Sequence, residues 1–254
     1  MKKISEKKLK FILIVLIGLL ILTLITTVLV TSSDRRFKSS ASRGLQESWA
    51  REDNELQLLS TVSDSEADFI KTEYKAVKGY ASASFKDKEL GYLAGEYISA
   101  LQACIKAELQ YNPEDDYNEY WTEFAACYGD RLKALYKLIK GGYISLPDDK
   151  YLDEKKYVMV NGWLMDKMPD ITFNNVEVKK GKEKCVAIVS NGSGYAITDL
   201  TLDVEVLDET GHVLGIVTVY QDEWAAGEEI ELSFKHNQED ASSYRIVSET
   251  CEVK

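Results

Sequence analysis

Twenty consecutive residues, Phe11 to Val30, carry no charge and read FILIVLIGLLILTLITTVLV. As a helix this run is ~30 Å long at ~1.5 Å per residue, the hydrocarbon thickness of a bilayer. Its polar side chains, Thr23, Thr26 and Thr27, can each bond back to their own helix. A cleaved signal peptide would have a shorter apolar core, roughly 7–15 residues, and a small-x-small site. Thr31-Ser32-Ser33-Asp34 fits that site poorly, and no Cys follows the run to carry a lipid. The sequence therefore predicts a retained transmembrane helix over residues 11–30, contacting the lipid bilayer. A cytosolic tail occupies 1–10 and a small, polar spacer 31–44.

Charge divides the chain unevenly. Residues 1–38 hold eight Lys/Arg and two acids, whereas the remainder holds 23 Lys/Arg and 40 Asp/Glu, net −17. So acidic a body would be repelled by phosphate backbones, which argues against nucleic acid as a partner. Lys2, Lys3, Lys7, Lys8 and Lys10 precede the apolar run, and Arg35, Arg36, Lys38 and Arg43 follow it. The positive-inside bias is modest. The lysine tail and acidic C-terminal part still favour a single-pass protein of the cell membrane with its C-terminal domains extracytoplasmic.

Residues 45–142 read as a helical bundle. Leu45, Trp49, Leu56 and Leu59 open an amphipathic stretch. Ser63-x-x-Glu66 is a capping box before Phe69, Ile70, Tyr74 and Val77 on one face. Asp87 precedes the best-patterned helix, with Leu90, Ala94, Tyr97, Leu101 and Cys104 spaced 4-3-4-3. Asn112-Pro113 breaks it, and a further helix carries Tyr117, Trp121, Phe124, Tyr128, Leu132, Leu135 and Ile139. Gly141-Gly142 ends that helix. Residues 143–170 read as a connector with one short helix near Val158–Met165. From 171 to 254 the period changes to two, with turns at 179–182, 191–194, 208–211 and 226–228, the pattern of a small β-sandwich.

Four cysteines, Cys104, Cys127, Cys185 and Cys251, suit an oxidising compartment, and four allow three pairings. Their spacing and two solitary histidines (His212, His236) do not suit zinc. Cys104 with Cys127 and Cys185 with Cys251 are the within-domain pairings; the alternative is four buried thiols. No nucleophile–base pair, P-loop, HExxH or GxSxG motif is present. Glu114-Asp115-Asp116 complements a helix N-terminus, and Asp148, Asp149, Asp153 and Glu154 lack calcium-loop spacing. No catalytic residue, cofactor or metal site is therefore expected. Tyr111, Tyr117, Tyr120 and Trp121 gather near the helical hairpin turn and form a candidate interaction surface, with core filling as the alternative.

The run LDVEVLDETGHVL, preceded by an S-N-G-S-G turn and followed by AAGEEIELSF and SYRI, resembles the FxLYD domain, an immunoglobulin-like β module of bacterial envelope proteins. The naming motif falls on Val204-Glu205-Val206-Leu207-Asp208, of which only Asp208 matches; Gly211 and Gly227-Glu228 fit better. The helical segment FKDKELGYLAGEYISALQ is similar to regions that accompany such modules in Gram-positive bacteria. The expected fold is thus α+β: a single transmembrane helix, a helical bundle and a C-terminal immunoglobulin-like β-sandwich. The expected function is a binding or assembly module at the bacterial cell envelope, with an envelope or surface protein as partner. A sensory or regulatory ectodomain signalling through a membrane partner is the alternative, and an enzyme acting on envelope polymers is a distant third.

Overall fold

The computed structural model describes residues 6–51, 68–110, 117–147, 150–179 and 182–253, without the side chains of residues 6–14, 27–32, 117–119 and 177–179. The helices are α1 (Glu6–Trp49), α2 (Asp68–Val77), α3 (Lys88–Gln110), α4 (Tyr117–Lys140) and α5 (Leu152–Lys167). The strands are β1 (Asn174–Lys179), β2 (Lys182–Ser190), β3 (Ile197–Leu207), β4 (Val213–Trp224), β5 (Glu229–His236) and β6 (Ser243–Val253).

The first correction concerns the apolar run. No helix among the described residues is long and apolar enough to cross a membrane. The expected transmembrane helix at 11–30 is overturned. So is the single-pass, extracytoplasmic cell-membrane location inferred from it. Thr23 and Thr26 do donate to their own helix, to the carbonyls of Leu20 and Leu22 at 2.8 and 3.0 Å.

The stretch read as a spacer, 31–44, belongs to α1. Its polar composition hides an i, i+4 stripe, Phe37, Ala41, Leu45 and Trp49, all buried in the bundle core. Such a stripe is enough to seat a helix on one face while the other stays polar. The polar face also binds the bundle. Asp34 accepts the Lys86 and Asp87 amides at 3.0 and 3.1 Å, and the Ser42 hydroxyl accepts the Ser145 amide at 3.1 Å. Leu56, Leu59 and the Ser63/Glu66 capping box lie outside the described residues.

Helix α2 buries Phe69, Ile70 and Val77 against α1 and α3. Helix α3 starts where Asp87 caps it: the Asp87 carboxylate accepts the Leu90 amide at 3.0 Å, and this bond holds the carboxyl below its usual range. Antiparallel to α3, α4 packs along it and contributes Phe124, Tyr128, Leu132, Leu135 and Leu138 to the same core.

Two three-stranded antiparallel sheets follow, ordered β1-β2-β5 and β4-β3-β6. Strand β3 is central in its sheet, and Leu200, Leu202, Val204 and Val206 alternate into the second core, opposite Cys185, Ala187, Leu232 and Phe234. This period-two burial is what the sequence pattern requires of a strand with one covered face.

The supposed connector does more than join the two cores. Val158 of α5 lies in the bundle core, while Val160, Trp163 and Leu164 lie in the sandwich core together with Tyr136 of α4. A helix buried on two faces loses its amphipathic pattern, which is why only half of α5 was visible in the sequence. Close packing of α5 on α4 depends on Gly162. A Cβ there would fall 2.6 Å from the Tyr136 Cβ and inside contact distance of the Leu132 carbonyl. At the far side, Trp163 meets Trp224 edge to face at 5.3 Å and lies against Gly192 in the β2–β3 connection.

Candidate functional site

The α3–α4 seam holds the features of greatest chemical interest. On its outer side is a groove of about 370 Å³, lined by Glu96, Ser99, Ala100, Ala103, Asp130, Lys133 and Ala134. Ala100, Ala103 and Ala134 supply its small apolar lining. Acids stand on both walls, Glu96 on α3 and Asp130 on α4. The third charge, Lys133, faces Asp166 of α5 at 3.8 Å, and Lys137 pairs with the same carboxylate at 2.9 Å. Burial alone would push the Lys137 ammonium down, but the bond from Asp166 outweighs it and holds the group up. Above the groove Tyr92, 64% exposed, donates to Glu96 at 2.5 Å, and that carboxylate raises the phenol.

Along the same seam toward the hairpin tip, Cys104 and Cys127 face each other. Both are free thiols at the same core, Cys104 within it and Cys127 packed against it. Cys104 is fully buried, whereas Cys127 is half-buried and donates to the Glu123 carbonyl at 2.8 Å. Burial pushes both thiols up.

The other cysteine pair is kept apart. Cys185 donates to the Asn175 amide oxygen at 3.0 Å, and Tyr244 donates to the same atom at 2.7 Å. Cys251 lies seven residues along β6 from Tyr244, which at ~3.3 Å per residue is ~23 Å, far beyond disulfide reach. The Cys185 end of the sandwich also holds His236, which bonds Tyr244 at 2.9 Å and faces Glu183 at 3.8 Å. Burial raises the Cys185 thiol, the opposite of what a nucleophile needs. His212, in the β3–β4 hairpin loop, closes a turn in which Asp208 accepts the Thr210 and His212 amides. Asp208 is thus a turn former.

Of the aromatic surface, Tyr111 and the side chain of Tyr117 lie outside the described residues. Tyr120 and Trp121 are half-buried and lean on Phe124, with centroids 6.0 and 5.9 Å away. Phe124 in turn stacks on Tyr128 at 6.1 Å. Tyr120 and Trp121 therefore edge the core. Among the described residues no group of three or more His, Cys, Asp or Glu could hold a metal ion.

Sequence reasoning missed the buried ion pair. Glu73 and Arg131 have fully buried side chains; Arg131 donates to both carboxylate oxygens, at 2.5 and 2.9 Å. Ser48 and Tyr97 donate to the same carboxylate at 2.8 and 2.7 Å, so α1, α2, α3 and α4 meet at one group. A signal was present: Glu73 falls on the Phe69-Ile70-Val77 face, and Arg131 between Tyr128 and Leu135.

Glu249 of β6 is the other displaced acid. Burial pushes its carboxyl up to about 7. The native state then keeps a proton that the unfolded chain releases near 4.5, so stability is highest below that value and declines as pH rises toward 7. Between pH 5 and 8 the wild type is expected to lose about 2 kcal/mol more than Glu249→Gln. Urea unfolding at both pH values measures this, and parallel losses would show a hydrated carboxylate.

No protein-family model matches the chain, and no curated protein matches it. Two solved structures show weak likeness. One is the crystal structure of Campylobacter jejuni cj0090, 23% identical over 29% of this chain and 77% of that one, TM-score 0.23. The second is Pseudomonas fluorescens alkylpurine DNA glycosylase AlkC bound to DNA containing an abasic site analog. It is 10% identical over 73% of this chain and 65% of that one, TM-score 0.20. At these TM-scores neither likeness bears on fold or function.

Proposed function

We propose that this chain is a protein-binding module whose α3–α4 groove takes a basic segment of a partner protein. The observation that carries the reading is that Ala100, Ala103 and Ala134 line one groove together with Glu96 and Asp130. Alanines let a partner backbone approach the helices closely, and the two acids complement Lys or Arg flanking a small apolar residue. The body of the molecule reinforces this, with net −17 over residues 39–254 drawing cationic partners and repelling anionic ones. The helices lining the groove are held by the four-helix ion network, so the surface is preorganised.

Selection of binders from a displayed random-peptide library tests the reading. Peptides with Lys or Arg beside a small apolar residue are expected to enrich, and their affinity to fall as salt rises. Ala103→Trp, which fills the groove, and the charge reversals Glu96→Lys and Asp130→Lys should each weaken them tenfold or more, about 1.4 kcal/mol. Failure to enrich such peptides, or binding undiminished in all three variants, would reject the groove as the docking site.

A further inference from the structure

We infer that Cys104 and Cys127 are a disulfide-forming pair that crosslinks α3 to α4. The two residues come from different helices that pack along one seam, and both free cysteines turn into the same core there, Cys104 within it and Cys127 against it. Their access is unequal in a useful way. Cys127 is half-buried and open to a reagent, while Cys104 is fully buried and reachable only by Cys127. An oxidant therefore meets Cys127 first, and Cys104 resolves the product.

The chemistry is thiol–disulfide exchange with a low-molecular-weight disulfide such as glutathione disulfide. The Cys127 thiolate attacks that disulfide, forming a mixed disulfide and releasing one glutathione thiolate. Cys104 loses its proton and attacks the Cys127 sulfur, forming the Cys104–Cys127 bond and releasing the second glutathione. Two S–H bonds are lost from the protein, one S–S bond forms, and the two electrons and two protons end on two glutathione thiols. Because burial holds both thiols protonated, exchange is slow, and once formed the bond has poor leaving groups and resists reduction. The inference does not depend on any partner at the groove.

The full-length chain supplies its own control. Cys251 is half-buried and remote from Cys185, so oxidation there cannot be completed by a neighbour. Trypsin cuts after Lys88, Lys106 and Arg131, which puts Cys104 in peptide 89–106 and Cys127 in peptide 107–131. After equilibration with glutathione disulfide and alkylation, the two peptides are expected joined by a reducible bond. This should occur at concentrations roughly tenfold or more below those that modify Cys251, since the second step is intramolecular. In Cys104→Ala, Cys127 should instead retain glutathione; in Cys127→Ala, Cys104 should stay reduced. Circular dichroism confirms that both variants keep the fold. Peptides 89–106 and 107–131 recovered separately and alkylated at every concentration would overturn the inference, as would crosslinking no more sensitive than the modification of Cys251.

Discussion

Glu73→Leu is expected to cost ~3–5 kcal/mol of folding stability, because it strands the Arg131 guanidinium in a dry core. Arg131 cannot relieve the loss by deprotonating, nor can it reach water from a position with no exposure. Its flat faces already lie over the Phe69 and Tyr128 rings, 5.5 and 5.3 Å from their centroids, so there is no room to swing away. The Ser48 and Tyr97 hydroxyls lose their acceptor at the same time. Arg131→Leu should cost a similar amount by leaving the carboxylate unpaired. The double variant Glu73→Leu/Arg131→Leu should recover most of the loss, since apolar side chains of similar volume replace a pair whose desolvation was costly from the start. A double-mutant cycle on urea unfolding measures the coupling. Single variants that lose less than about 1 kcal/mol would show that water reaches the pair.

The second large effect concerns the join between the cores. Trp163→Ala is expected to lose ~3–5 kcal/mol, the usual cost of emptying a buried aromatic site. It should also split a single unfolding transition into two. Trp163 of α5 packs into the sandwich against Trp224 and the Gly192 turn, while α5 remains packed on α4. Without it the sandwich keeps its own strands but loses its purchase on the helices. Calorimetry and near-ultraviolet circular dichroism would resolve the two steps. Trp163→Phe should keep one transition at a lower midpoint. A Trp163→Ala protein that still unfolds in one step would place the coupling elsewhere on α5.

What was readable without coordinates follows from periodicity. The strands at 197–207 and 213–224 show period-two burial because one face of each is covered, and the turn glycines mark where the chain reverses. Helices α3 and α4 were visible for the same reason: each buries one stripe. The segment at 31–44 was misread because its single apolar stripe, Phe37 and Ala41, is sparse and surrounded by Ser and Arg. Helix α5 was only half seen because it is buried on two sides. Of the interaction-surface residues, Tyr120 and Trp121 proved to be edges of an aromatic row, a distinction that depends on what stands opposite them.

The same division governs the features that matter most for function. Local pattern by itself determined which segments become helix or strand, that the body is strongly acidic, and that Cys104 lies on the apolar face of a helix. The sequence already offered Cys104 with Cys127 as a pairing, but only the tertiary structure decided that Cys251 is held away from Cys185, and that Glu73 meets Arg131 rather than solvent. It also decided that the apolar run beginning at Phe11, which alone suggested a membrane span, opens a helix whose C-terminal third builds the bundle core. The physical reason is that burial of a particular side chain is set by its neighbours across the core, at sequence separations of 24 to 58 residues for the partners of Glu73 alone. No pattern along one segment records what stands opposite it.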